Sequence, residues 1–117
     1  MAKVAITVNG SEGVNVFGPF ILGSSAIASG DELVLFFTPA GAPSMVKGVI
    51  EKMEGKGLPH FLELYEGVRA LGAKIFVCEL ALEAKDLKKE DFREGVEIVG
   101  ATTFINEIKD ATITFSF

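Results

Sequence analysis

The chain has one cysteine, one histidine, one tyrosine and no tryptophan among its 117 residues. Each scarcity excludes something. A lone cysteine closes no disulfide within the chain, so this is neither a disulfide-built extracellular scaffold nor a self-contained dithiol oxidoreductase. His60 and Cys78 lie far apart in the sequence and do not make a metal site. There is no G-x-S-x-G serine-hydrolase signal, and neither G-x-G-x-x-G nor a phosphate-binding P-loop is found. The sequence therefore calls for no metal and no cofactor. Lysine and arginine are outnumbered 11 to 16 by aspartate and glutamate, giving a net charge of −5. With no basic cluster, nucleic acid is excluded as a partner.

Charge is missing altogether from Gly13 to Gly30. A membrane-spanning helix needs about 20 mostly apolar residues. This stretch is interrupted by Asn15, Pro19, serines and glycines, so it is expected to be a helix buried by the sheet and by a neighbouring subunit, not a membrane span. The opening MAKVAITVNG lacks the charged, apolar and cleavage regions of a signal peptide. A cytoplasmic location is expected.

What is present is a hydrophobic fraction of 49% with 23% charged residues, enough for one domain, residues 1–117, with a proper core. Four short β-branched or apolar runs read as strands: Lys3–Val8, Glu32–Phe37, Lys74–Cys78 and Val96–Val99. A fifth, Thr112–Phe117, alternates, with Ile113, Phe115 and Phe117 on one face and Thr112, Thr114 and Ser116 on the other. Helices are expected at about 14–29, 44–53 (Ser44 as cap), 59–71, 88–94 and 100–110. Phe104, Ile105 and Ile108 should face inward. Inner strands that lose polar alternation are covered on both faces, whereas an alternating strand keeps one face open. The expected fold is α/β, a three-layer, mainly parallel five-stranded sheet with helices on both sides and the last strand at an edge.

In such sheets function gathers beyond the C-terminal strand ends, near the switch in strand order. An order of 2-1-3-4-5 would put the switch between the first and third strands. It would deliver Asn9, Gly10, Ser11, Thr38, Gly41, Cys78, Glu79 and residues 100–103 to one edge. Cys78 is the candidate nucleophile. The alternative is that it is filler, since free cysteine is among the most buried residue types. A reactive thiolate needs nearby positive charge or a helix N-terminus. The nearest lysine, Lys74, lies about 13 Å back along the strand, so any helper comes from another segment or subunit. Asn9–Gly13 could cradle an anion on backbone N–H groups, with Thr38 and Gly41 opposite. His60 is expected to sit at a helix start, and the acidic residues from Glu83 to Glu97 on a solvated face.

The segment Val77–Ile105, VCELALEAKDLKKEDFREGVEIVGATTFI, together with FFTPAG at 36–41, resembles the DsrE/DsrF/YchN-like family of small sulfur-relay proteins. The likeness extends over nearly the whole chain. It implies a flavodoxin-like fold and assembly as a homotrimer or homohexamer. It also implies a cysteine, aligned with Cys78, that takes sulfur as a persulfide from a donor protein and passes it to an acceptor protein. Two readings stand side by side. One is a sulfur carrier, possible sulfurtransferase chemistry resting on Cys78. The other is a non-catalytic, oligomeric binding module for a small anionic ligand near Asn9, Gly10, Ser11, Thr38 and Gly41, with Cys78 structural.

Overall fold

The computed structural model describes all 117 residues. Its elements run β1 (Lys3–Val8), α1 (Gly13–Ala28), β2 (Glu32–Phe37), α2 (Phe61–Ala70), β3 (Lys74–Cys78), α3 (Leu80–Ala84), β4 (Val96–Val99), α4 (Ala101–Glu107) and β5 (Ile113–Ser116), with single 3₁₀ turns at Ala42–Met45, Ile50–Lys52 and Lys89–Asp91. The five strands form one sheet in the order β4-β3-β2-β1-β5, with every pair parallel. This is a three-layer α/β fold of the flavodoxin-like class. The strand order differs from the expected 2-1-3-4-5. The chain walks outward from β1 to β4, then returns across the sheet to lay β5 on the free side of β1. The switch therefore lies between β1 and β5.

This path divides the helices unequally. Along β1, β2 and β3, alternate side chains enter one large core with α1, α2 and α3: Val4, Ile6 and Val8, then Leu33, Leu35 and Phe37, then Ile75 and Val77. Phe61 of α2 meets Phe17 and Phe20 of α1 edge-on, with centroids 4.8 and 5.0 Å away. Small residues set the spacing of α1 on the sheet. A Cβ on Gly23 would meet Leu33 at 2.8 Å, and one on Gly18 would meet Phe117 at 2.6 Å. The opposite sheet face carries a much smaller cluster: Val34, Phe36, Phe76, Cys78 and Phe104. Of these, only Phe104 comes from a helix, α4. It stacks on Phe36 at 4.3 Å and 12°. Ile105, expected inward, is exposed; α4 is one short helix, and only its Phe104–Ile108 stripe reaches the sheet.

Two expected helices are absent. Residues 44–53 form 3₁₀ turns broken by Gly48, whose φ is +87°, a conformation that ends a helix. Val46 bridges to Phe92, and Arg93 N–H donates to the Met45 carbonyl, so tertiary pairing replaces the helical ladder. Ser44 is buried and donates its hydroxyl to Gly41 O at 2.7 Å instead of capping. Residues 88–94 hold only the turn at Lys89–Asp91, while α3 forms earlier, directly after Cys78. The strap 42–53 is held by Arg93, which is buried, pairs with Glu51 and lies over the Tyr65 ring at 5.2 Å. Burial raises the Tyr65 phenol to about 12 against the opposing pull of Arg93 and Arg69.

The face of α1 turned away from the sheet stays open, with Val14 81% exposed and Ile21 and Leu22 partly so. Ile113 and Phe115 on β5 are exposed beside it. β5 is an edge strand, as expected, but neither of its faces is fully covered.

Candidate functional site at the C-terminal strand ends

The parallel register fixes what the loops can present. Val8 pairs with Phe37, and Phe37 with Val77. One step further along, Asn9, Thr38 and Cys78 fall level across three adjacent strands. Side chains alternate along a strand, so these three share the face that carries α4. Cys78 pairs laterally with Val99 of β4.

The loops after β1 and β2 are locked together. Thr38 donates from both N–H and Oγ1 to Val8 O, each at 3.1 Å. Ser11 Oγ donates to Ala40 O at 2.5 Å. Gly41 and Ala42 N–H both donate to Thr38 O at 2.8 Å. Gly41 is required here, because a Cβ would lie 2.1 Å from Val8 O. A Cβ on Gly10 would meet only the Asn15 side chain, at 2.3 Å, a contact that a change of Asn15 rotamer relieves. The predicted residues Asn9, Gly10, Ser11, Thr38 and Gly41 are thus brought together, but the Ser11 and Thr38 hydroxyls already serve backbone carbonyls.

Sequence reasoning missed Ser116. Because β5 lies beside β1, Ser116 Oγ accepts from Thr7 Oγ1 at 2.7 Å and from Asn9 Nδ2 at 2.8 Å. The alternation of β5 gave its facing, but only the strand order gives its neighbour.

Cys78 is 4% exposed. It sits under α4 among Val34, Phe36, Phe76 and Phe104, with Glu79 following and no lysine or arginine in that cluster. α3 starts two residues later, after Glu79, whose N–H donates to Val99 O at 2.9 Å. His60 precedes α2 as its N-cap without a side-chain hydrogen bond. No group of three or more metal-ligating side chains is assembled anywhere in the chain. The largest cleft, about 470 Å³, opens at the opposite end of the sheet, among Lys3, Asp31, Glu32, Lys74 and Glu107. There Lys3 bridges Asp110 at 2.8 Å and Glu32 at 3.6 Å, and Lys74 pairs with Glu107. That cleft is lined by charges that mostly pair with one another and lies remote from Cys78.

The profile of the DsrE/DsrF/DrsH-like family matches residues 39–115. The chain belongs to that family. Among relatives, it is 27% identical over 128 aligned residues to the sulfur carrier protein DsrE2 of Allochromatium vinosum, covering 75% of this chain and 80% of the relative. It is 30% identical over 87 residues to the uncharacterized protein MK0008 of Methanopyrus kandleri, covering 74% and 69%. The uncharacterized protein MJ0760 of Methanocaldococcus jannaschii is 27% identical over 97 residues; the match takes in 83% of this chain but only 35% of that much longer protein. Among solved structures, YchN from E. coli superposes over the full length of both chains with a TM-score of 0.81 at 19% identity, a likeness of fold. No helix of this family member is long and apolar enough to cross a membrane.

Proposed function

We propose that the protein is a cytoplasmic sulfur carrier that holds sulfur as a persulfide on Cys78. The single observation that supports this most is the position of Cys78. The chain's one cysteine stands at the C-terminal end of an interior strand, on the side of the sheet where parallel folds place their chemistry, although two strands away from the β1/β5 switch, in a chain whose relative DsrE2 is named a sulfur carrier. The step is an exchange with no net redox change. The Cys78 thiolate attacks the outer sulfur of a donor protein's persulfide, R–S–S–H. A new S–S bond forms to Cys78 as the donor's S–S bond breaks, leaving Cys78–S–S–H and the donor thiolate. An acceptor protein's thiolate repeats the exchange and restores Cys78. No second cysteine in this chain is needed, which suits its cysteine count.

The competing reading, an anion-binding module with Cys78 structural, is favoured by the burial of Cys78 but lacks free donors for an anion. The hydroxyls it would use are already donated to Val8 O and Ala40 O, and no basic side chain joins them. The uncharged face of α1 with the exposed Ile113 and Phe115 suits association with further copies of the chain, as a trimer or hexamer.

Incubating the protein with a persulfide donor and recording intact mass tests the proposal. Wild type should gain one sulfur atom and Cys78→Ser none. Absence of gain in wild type, with donor sulfur transferred to a control thiol in the same tube, rejects it.

A further inference from the structure

We propose that the first turn of α4 is a movable cover over Cys78, whose opening sets the rate at which the thiol meets a partner. This deepens the sulfur-carrier reading and rests on it for its purpose, though not for its test.

The cover is built asymmetrically. Every buried apolar member of the small cluster around Cys78 is a strand residue except Phe104, so α4 supplies the only buried helical side chain of that cluster. Phe104 is the one buried side chain of α4, and Ile108 assists from the rim. The far end of α4 is tied down. Lys3 Nζ donates to the Glu107 carbonyl at 2.9 Å and to Asp110 Oδ1 at 2.8 Å, and Lys74 pairs with Glu107. The near end has no such ties. Ala101, Thr102 and Thr103 are exposed, the N-cap is Gly100, and no side chain caps the helix. A seven-residue helix is too short to be stable by itself, so its first turn is held chiefly by the Phe104–Phe36 stack. Segments with few buried contacts are those that open locally, below the free energy of global unfolding. Gly100 is the joint, the two lysines hold the fixed end, and Phe104 is the plug. The opposite face, under α1 and α2, has no comparable weakness because it is closed by the large core.

Alkylation of Cys78 by iodoacetamide, followed by intact mass, measures the opening directly. In native buffer, wild type should react at least about tenfold slower than the urea-unfolded chain, with a rate nearly flat in urea below the unfolding transition. Phe104→Ala should speed alkylation by about tenfold or more, and Phe104→Leu by less, because truncation weakens the plug while the other face is untouched. A rate that climbs with urea along the full unfolding slope overturns the proposal, as does wild-type alkylation as fast as that of the unfolded chain. Unchanged rates in Phe104→Leu overturn it too, and that variant with the urea series decides the matter if Phe104→Ala does not fold. The two ideas fail separately. Gated alkylation without sulfur gain rejects the carrier reading alone, and sulfur gain with ungated alkylation rejects the cover alone.

Discussion

Gly41→Ala is a small change with a large expected cost, and Gly67→Ala is its control. The backbone of Gly41 has φ −86° and ψ −23°, ordinary for any residue, so conformational strain does not enter. The objection is steric alone. The new Cβ would stand 2.1 Å from Val8 O and 2.9 Å from Val8 C. That carbonyl cannot yield freely, since it already accepts both hydrogen bonds from Thr38. The β2 loop must retreat by about 1 Å, and overpacking of this kind costs about 1–3 kcal/mol. Alanine stiffens the unfolded chain and returns about 0.4–1 kcal/mol. A 2.1 Å approach to backbone puts the overpacking cost in the upper part of its range, about 2–3 kcal/mol, so the net is a loss of about 1–2.5 kcal/mol, or roughly 4–10 °C in Tm for a domain of this size. Gly67 lies on the exposed side of α2 with nothing within 4 Å of its would-be Cβ. There alanine should stabilise by about 0.5–1 kcal/mol. Urea unfolding of the three proteins gives both numbers. If Gly41→Ala falls within about 0.5 kcal/mol of wild type, the β1 and β2 loops are not locked as described, and the account of the site's rigidity fails with them.

The single tyrosine makes its titration unambiguous: near-ultraviolet absorbance should show Tyr65 ionising near 12, not 10. Because the folded phenol holds its proton more tightly than the unfolded one, stability should fall as pH rises from about 10 toward that value; normal ionisation in the folded protein contradicts its burial. Glu51 experiences opposing effects: burial pushes its carboxyl up, and the Arg93 hydrogen bond with backbone N–H contacts outweighs this and holds it below the usual range. Asp110 is held low by its hydrogen bond from Lys3. Depressed carboxyls contribute stability above their unfolded pKa values and lose it as pH falls through the folded ones, so acid unfolding should be shallower in Glu51→Gln and Asp110→Asn than in wild type. Glu51→Gln should also cost about 1–2 kcal/mol at neutral pH, less than a fully buried pair because Glu51 is partly exposed, and urea unfolding would read it. A double-mutant cycle on Phe36 and Phe104 should return about 0.5–1.5 kcal/mol of coupling; zero coupling would mean the stack contributes only its area.

The first four strands were legible to the residue, at Lys3–Val8, Glu32–Phe37, Lys74–Cys78 and Val96–Val99, because short, mainly apolar and β-branched runs bounded by glycine and charge leave little else to form. What failed was whatever depends on a distant partner. Residues 44–53 carry a helical scatter of apolar side chains, yet Val46 finds Phe92, and Arg93 finds Met45. Strand order leaves no mark on periodicity, so the neighbour of β1 could not be read, and with it the meeting of Asn9 and Ser116. Cys78 was placed on the right edge. Its depth beneath α4 was not legible, since nothing near position 78 tells how a helix that starts only at Ala101 will cross the sheet.

The return of the chain to β1 also has a kinetic side. β1, β2, β3 and β4 can be added in turn, each beside the last, through crossovers of modest length. β5 closes the only long circuit, with Thr7 and Ser116 separated by 109 positions. Loop entropy grows only slowly with length, but it must be overcome before the contact rewards it. Until β5 arrives, the outer edge of β1 offers a row of free N–H and C=O groups flanked by Val4, Ile6 and Val8. Wherever that pairing has not yet formed, the β1 margin of the sheet stands open, and there strands of two nascent chains would compete for the same place.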